Sequence, residues 1–188
     1  AIVLIEGEAG GGKTRLAHRL AEDLPSAAFL GLERVANGSA AVRLDADPKL
    51  RLRVNRTLDW LVEDGATVSE ALVALLAGLE AEEPAILVVD MVEHGLDSAT
   101  QEAVAALLRR RGLDDRPLFL LTRSCAILDL ASVGAQESII LCPANHSPPI
   151  QVAPHPGAPG YEAVATCLAT PEVRARTEGV IAWRQNAA

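Results

Sequence analysis

The stretch Gly7-Glu8-Ala9-Gly10-Gly11-Gly12-Lys13-Thr14, directly behind the apolar run Ile2-Val3-Leu4-Ile5, decides the reading of this 188-residue chain. It fits the spacing G-x-x-x-x-G-K-[ST] of a phosphate-cradling loop. Glycines let successive backbone N–H groups curl around phosphate oxygens, a lysine reaches the outer phosphates, and a threonine hydroxyl coordinates Mg²⁺. All eight residues from Gly7 to Thr14 are therefore candidate nucleotide-binding residues, with Thr14 also a candidate metal ligand. A helix opening at Lys13 would aim its N-terminus at the same anion. Leu16, Leu20 and Leu24, with Ala17 and Ala21, recur at helical spacing until Pro25, so strand, loop and helix follow in the order this chemistry requires.

Composition narrows the field. An apolar content of 49% over 188 residues supports one good core with at most a small appendage. A net charge of −8 opposes a broad nucleic-acid surface, and 3% aromatic residues leave few platforms for stacked bases. The basic cluster Arg109-Arg110-Arg111 with Arg116 reads first as a helix C-terminus complementing the helix dipole. Cys125, Cys142 and Cys167 are odd in number and widely spaced, without a C-x-x-C pair, so neither a disulfide framework nor a zinc site is expected. Cys142 and His146 lack the second pair of ligands that a metal would need. This cysteine usage points to a reducing cytoplasm, and no run approaches membrane-spanning length. The chain opens on Ala1 already inside a strand, which suggests preceding residues in the full protein.

Strands and helices alternate along the rest. Ala27 to Leu32 predicts a second strand and Val42 to Leu44 a short third. Asp47-Pro48 supplies an N-cap and first-turn proline for a helix through Val54, Leu58, Leu61 and Val62, closed by Gly65. Thr67 with Glu70 reads as a capping box ahead of Leu72, Leu75, Leu76 and Leu79, and Ser98 with Gln101 as another, ahead of a helix that Gly112 closes. Residues 85–90 and Leu118 to Leu121 are apolar runs of the kind buried in a parallel sheet, ending at Asp90 and Thr122. Ile139-Ile140-Leu141 and Ile150-Gln151-Val152 predict a hairpin. A Pro/Gly-rich connector and two short helices, from Tyr161 and from Thr170-Pro171, then follow. The expectation is an α/β fold: a three-layer P-loop NTPase core with a mostly parallel sheet, helices on both faces, a C-terminal β-hairpin and short helices. Residues 1–153 would form the nucleotide-binding domain, and 154–188 a connector and helical tail packed on it.

A phosphate loop calls for an acid at the end of a distant apolar strand, because Mg²⁺ needs a carboxylate opposite the phosphates; Asp90 meets that need. The segment Asp90-Met91-Val92-Glu93-His94-Gly95-Leu96-Asp97 resembles the Walker B and D-loop segment of ABC-type ATPases, D-E-P-x-x-G-L-D. Leu120-Leu121-Thr122-Arg123-Ser124, followed by Leu128, resembles their switch segment. The resemblance covers residues 1–14 and roughly 85–152, and it implies ATP with Mg²⁺, hydrolysis, and a protein partner or second copy that reads the nucleotide state. Met91 stands where the family places its water-polarising glutamate, Arg123 stands at the switch histidine, and no L-S-G-G-Q signature precedes Pro84. Glu93, three residues after Asp90, is then the candidate substitute base, with His94 as the weaker alternative, and Thr122 and Arg123 are candidate catalytic residues at the γ-phosphate.

A second family fits the same residues. Glu6 to Leu16, and Leu120-Leu121-Thr122-Arg123 as a sensor strand, look like the signal-transduction ATPases with numerous domains, relatives of AAA+ proteins. Only 76 positions separate Thr14 from Asp90, shorter than usual in ABC transporters. Three functions are carried forward: a weak ATPase, a non-hydrolysing nucleotide-dependent interaction module, and a small-molecule kinase with the arginines at 109–111 and 116 as its lid.

Overall fold

The computed structural model describes residues 1–7, 12–35, 38–112, 115–143 and 147–168. Its centre is a six-stranded sheet in the order β2-β3-β4-β1-β5-β6. The strands are β1 (Ile2–Glu6), β2 (Ala27–Leu30), β3 (Ile86–Val89), β4 (Leu118–Leu121), β5 (Glu137–Leu141) and β6 (Ile150–Val152). All neighbours run parallel except β6, which turns back against β5 as the expected hairpin.

Alternate residues of each strand enter different layers. Ile2, Leu4, Leu87, Val89, Leu118, Leu120, Ile139 and Leu141 join the larger core. That core is completed by α2 (Ser39–Ala46), α3 (Pro48–Glu63), α4 (Glu70–Leu79), α5 (Ser98–Arg109) and α6 (Tyr161–Cys167). Ile5, Val88 and Leu121, with half-buried Val3, Phe119 and Ile140, face the other way, onto α1 (Lys13–Asp23) through Ala17, Leu16 and Leu20. Burial on both faces explains why these strands read as continuous apolar runs. The result is the expected three-layer α/β fold with a mostly parallel sheet and helices on both faces.

Local signals act where the chain leaves them free to do so. Asp47 caps α3 by accepting from the N–H groups of Lys49 and Leu50 at 3.0 and 2.9 Å, with Pro48 in the first turn. Four expectations need correction. Residues 42–44 form no strand but lie within α2. The alternation Val-Arg-Leu suggested period two, yet Ala40 and Leu44, four apart, pack inward while Val42 is 71% exposed. The cap of α4 is Ser69, whose Oγ accepts from Leu72 N at 3.2 Å. Thr67 instead donates its backbone N–H to Thr100 Oγ1 and hydrogen-bonds Asp97 through its side chain. The cap of α5 is Asp97, not Ser98. A carboxylate can accept from Thr100 N at 2.8 Å there, and Gln101 is thereby released for other partners. The second strand also ends at Leu30, with residues Leu32–Arg34 in a 3-10 turn. The short helix expected from Thr170-Pro171 lies outside the described residues.

Candidate functional site

Sheet topology creates the site. The chain leaves β1 toward one edge of the sheet and leaves β4 toward the other, so the carboxyl ends of these adjacent strands form a topological switch point, where open α/β sheets bind ligands. Ladder bonds set its rim in register: Thr122 N donates to Ile5 O (3.1 Å), Asp90 N to Leu30 O (3.0 Å), Val92 N to Leu121 O (3.0 Å) and Cys142 N to Glu6 O (2.7 Å). Gly7, Asp90 and Thr122 thus stand along one edge although the sequence separates them widely. Strand β4, lying between β1 and β3, carries Thr122 between the loop and the acid.

Thr14 Oγ1 donates to Asp90 Oδ2 at 2.8 Å across 76 residues. Asp90 is 3% exposed. The two candidate metal ligands are therefore side by side, a hydroxyl and a carboxylate, both hard oxygen donors suited to Mg²⁺. Among the described residues no group of three or more His, Cys, Asp or Glu converges on one point. A cation here would rely on Thr14, Asp90, water and phosphate oxygens, the sparse protein ligation that Mg²⁺ accepts beside nucleotides.

The first turn of α1 is open toward this site. Gly12, at φ 78°, precedes Lys13 in the left-handed conformation, and no side chain caps the helix. Lys13 is buried, and its Nζ donates to the carbonyl oxygen of Gly7. At Gly7 a Cβ would collide with the carbonyl oxygen of Cys142, so only glycine lets the chain turn off β1 against β5. Glu8, Ala9, Gly10 and Gly11 lie outside the described residues. Burial pushes the Lys13 ammonium below its ordinary pKa, opposed by the negative field of Glu6 and reinforced by the positive field of Arg123. Glu6, fully buried at the end of β1, is pushed up by the same desolvation. The Gly7 N–H, the Cys167 thiol and the charges of Lys13 and Arg123 oppose that shift.

The three candidate catalytic residues also meet. Thr122 Oγ1 donates to Glu93 Oε2 and Arg123 N to Glu93 Oε1, both at 2.8 Å. Thr122, fully buried, accepts in turn from Ser124 N at 3.0 Å. Ser124 Oγ donates to Gln101 Oε1 at 2.7 Å, and Gln101 Nε2 donates to Leu96 O at 2.8 Å. Both oxygens of Glu93 are engaged in holding the end of β4. The strained turn behind Asp90, with Met91 at φ 49°, swings Glu93 across to reach it.

Two residues were missed by sequence reasoning. Glu6 carried the same signal as Asp90, an acid closing an apolar strand, and it adjoins the loop. Arg34 gave none, being a lone arginine in an aperiodic connection. It is 5% exposed and donates to the carbonyl oxygens of Gly31, Asp90 and Met91. The basic cluster lies elsewhere. Arg116 precedes β4 at the opposite end of the sheet and donates to the carbonyls of Gly78, Leu79 and Pro84. Arg110 stacks 4.5 Å from the centroid of Trp60, and Arg111 pairs with Asp115 at 3.9 Å. No helix among the described residues is long and apolar enough to cross a membrane.

No known family profile and no curated protein matches this chain. Solved structures do: 179 chains resemble it, so the architecture is widespread and by itself selects no activity. One is an ABC transporter described as of the metal-chelate type, in an inward-facing conformation. The likeness has a TM-score of 0.51 at 16% identity over 81% of this chain and 72% of that one. It shows a likeness of fold alone.

Proposed function

We propose that this chain is an Mg-ATP-binding domain and a weak ATPase, whose nucleotide state changes the shape it presents to a protein partner or a second copy. The observation that carries the reading is the 2.8 Å hydrogen bond from Thr14 to Asp90, which joins the phosphate loop to the acid of a non-adjacent strand. In this reading the N–H groups at the start of α1 receive phosphate oxygens, and Lys13 exchanges the Gly7 carbonyl for an outer phosphate. Thr14 and Asp90 would hold magnesium, whose charge would offset that of the phosphates. Thr122, kept in place by Glu93 and Ser124 N, and Arg123 respond to the γ-phosphate.

The resemblance to ABC-type sequences and the likeness of fold to an ABC transporter support this reading from different directions. The same reading places the chain in the cytoplasm. A second reading, a non-hydrolysing switch of the signal-transduction ATPase or AAA+ type, is favoured by one observation: both Glu93 oxygens already accept hydrogen bonds, and Met91 offers no base in its stead. The kinase reading loses its lid, because the arginines stand at the far end of the sheet.

Titration with a fluorescent ATP analogue, with and without Mg²⁺, together with phosphate release, tests the proposal. Magnesium-dependent binding that Lys13→Ala abolishes is expected, with turnover below about 1 s⁻¹, the lower end of ordinary enzymes. Tight binding without phosphate release selects the switch. No magnesium-dependent binding of any nucleoside triphosphate overturns both.

A further inference from the structure

We infer that Arg34 is a positioning residue for the magnesium site: it clamps the end of β3 so that the Asp90 carboxylate faces Thr14. The inference rests on the Mg-nucleotide reading above. Arg34 Nη1 donates to Gly31 O at 2.9 Å and to Asp90 O at 2.8 Å, and Nη2 donates to Met91 O at 2.7 Å. The bond to Gly31 closes a local turn. The other two cross 56 and 57 residues and end on the metal-site acid and its neighbour.

An arginine 5% exposed is costly unless its charge and donors are matched. The two terminal nitrogens find carbonyl acceptors at the site, while Nε is buried without a hydrogen-bond partner among the described residues. Asp90, Glu33 and Glu93 all lie within electrostatic reach of the Arg34 charge. Arg34 thus sets positive charge beside the two acids of the candidate site, Asp90 and Glu93.

The clamp also secures a bend the backbone would otherwise avoid. Met91 occupies the left-handed region at φ 49°, which a side chain disfavours by about 1 kcal/mol or more. Beyond that bend Val92 N reaches Leu121 O and Glu93 reaches Thr122, so releasing the Asp90 and Met91 carbonyls would loosen both halves of the site. A planar guanidinium serves carbonyls from three residues because its donors diverge at fixed angles; an ammonium concentrates its donors at a single nitrogen.

The experiment compares Arg34→Lys and Arg34→Met with the unaltered chain. It measures affinity for a fluorescent ATP analogue in excess EDTA and in saturating Mg²⁺, with folding followed by circular dichroism and thermal melting. The quantity read is the gain in affinity on adding magnesium. We expect that gain to fall about 10-fold or more in Arg34→Met, as for other residues that orient metal ligands from behind, and by less in Arg34→Lys. Affinity in EDTA should stay within about twofold, since the described hydrogen bonds of Arg34 end on Gly31, Asp90 and Met91. Retention of the full magnesium gain by both variants overturns the inference, as does an equal loss with and without magnesium. If Arg34→Met does not fold, Arg34→Lys carries the test; if neither folds, Arg34 serves the fold alone and the inference fails. Absence of nucleotide binding by the unaltered chain is a separate outcome, which removes the parent reading and the inference with it.

Discussion

Glu93 accepts from Thr122 Oγ1 and from Arg123 N, both at 2.8 Å, and the substitutions Glu93→Ala and Glu93→Gln disturb this pair differently. Alanine removes both acceptors. The Thr122 hydroxyl is fully buried and loses its carboxylate, while the half-buried Arg123 amide can recover a water. Hydrogen bonds to charged groups contribute about 1.5–3 kcal/mol each, and with water repairing one of them a net loss of about 2–3 kcal/mol follows. For a chain of this size that lowers the melting temperature by roughly 5–10 °C. Glutamine keeps one carbonyl oxygen for Arg123 N, and its amide can donate to a reoriented Thr122 hydroxyl, so the cost falls to about 1 kcal/mol. Urea denaturation measures both. Phosphate release then separates position from chemistry: a carboxylate that only brackets Thr122 leaves Glu93→Gln with turnover within a few-fold of the parent, whereas a general base would lose about 10²–10⁴-fold. A fully folded Glu93→Gln chain that binds ATP normally and turns over nothing would refute the bracket. An unchanged melting temperature in Glu93→Ala would refute it from the other side.

Asp90→Asn keeps an oxygen for Thr14 but removes the anionic charge, so magnesium should cease to improve nucleotide binding in the EDTA-versus-Mg²⁺ titration. Gly7→Ala drives a methyl into the Cys142 carbonyl and should destabilise the fold by about 1–3 kcal/mol in urea melts; a neutral result would mean β1 and β5 separate freely there. Glu6→Gln tests linkage. Because the folded chain raises the Glu6 pKa above 4.5, it binds that proton more tightly than the unfolded chain does. Folding is therefore penalised as pH rises through that window, and the variant should be more stable than the parent at pH 7. The advantage should vanish as pH falls toward 4.5; an advantage independent of pH contradicts the assignment.

Much of the site was legible because its elements are locally encoded. A phosphate-binding loop must be contiguous in sequence, since its function needs successive amides around one anion, and Asp90 is marked by the apolar strand that it ends. Misreadings came where two local signals competed. Three-residue alternation at 42–44 loses to an alanine-rich helical stretch, and Ser98 and Thr67 yield the caps to Asp97 and Ser69, whose side chains accept from Thr100 N and Leu72 N.

From the order of its residues alone, this chain determines which residues form the candidate phosphate loop and which acid ends a buried strand, because loop composition and strand burial are properties of short segments. Which distant groups stand together was decided only by the sheet. Insertion of β4 between β1 and β3 sets Thr122 beside Glu93, and the return of β3 past β2 lets Arg34 grip the carbonyls behind Asp90. Contacts of this kind depend on strand order and register, which no local pattern records, and a buried arginine has no periodicity by which to announce itself.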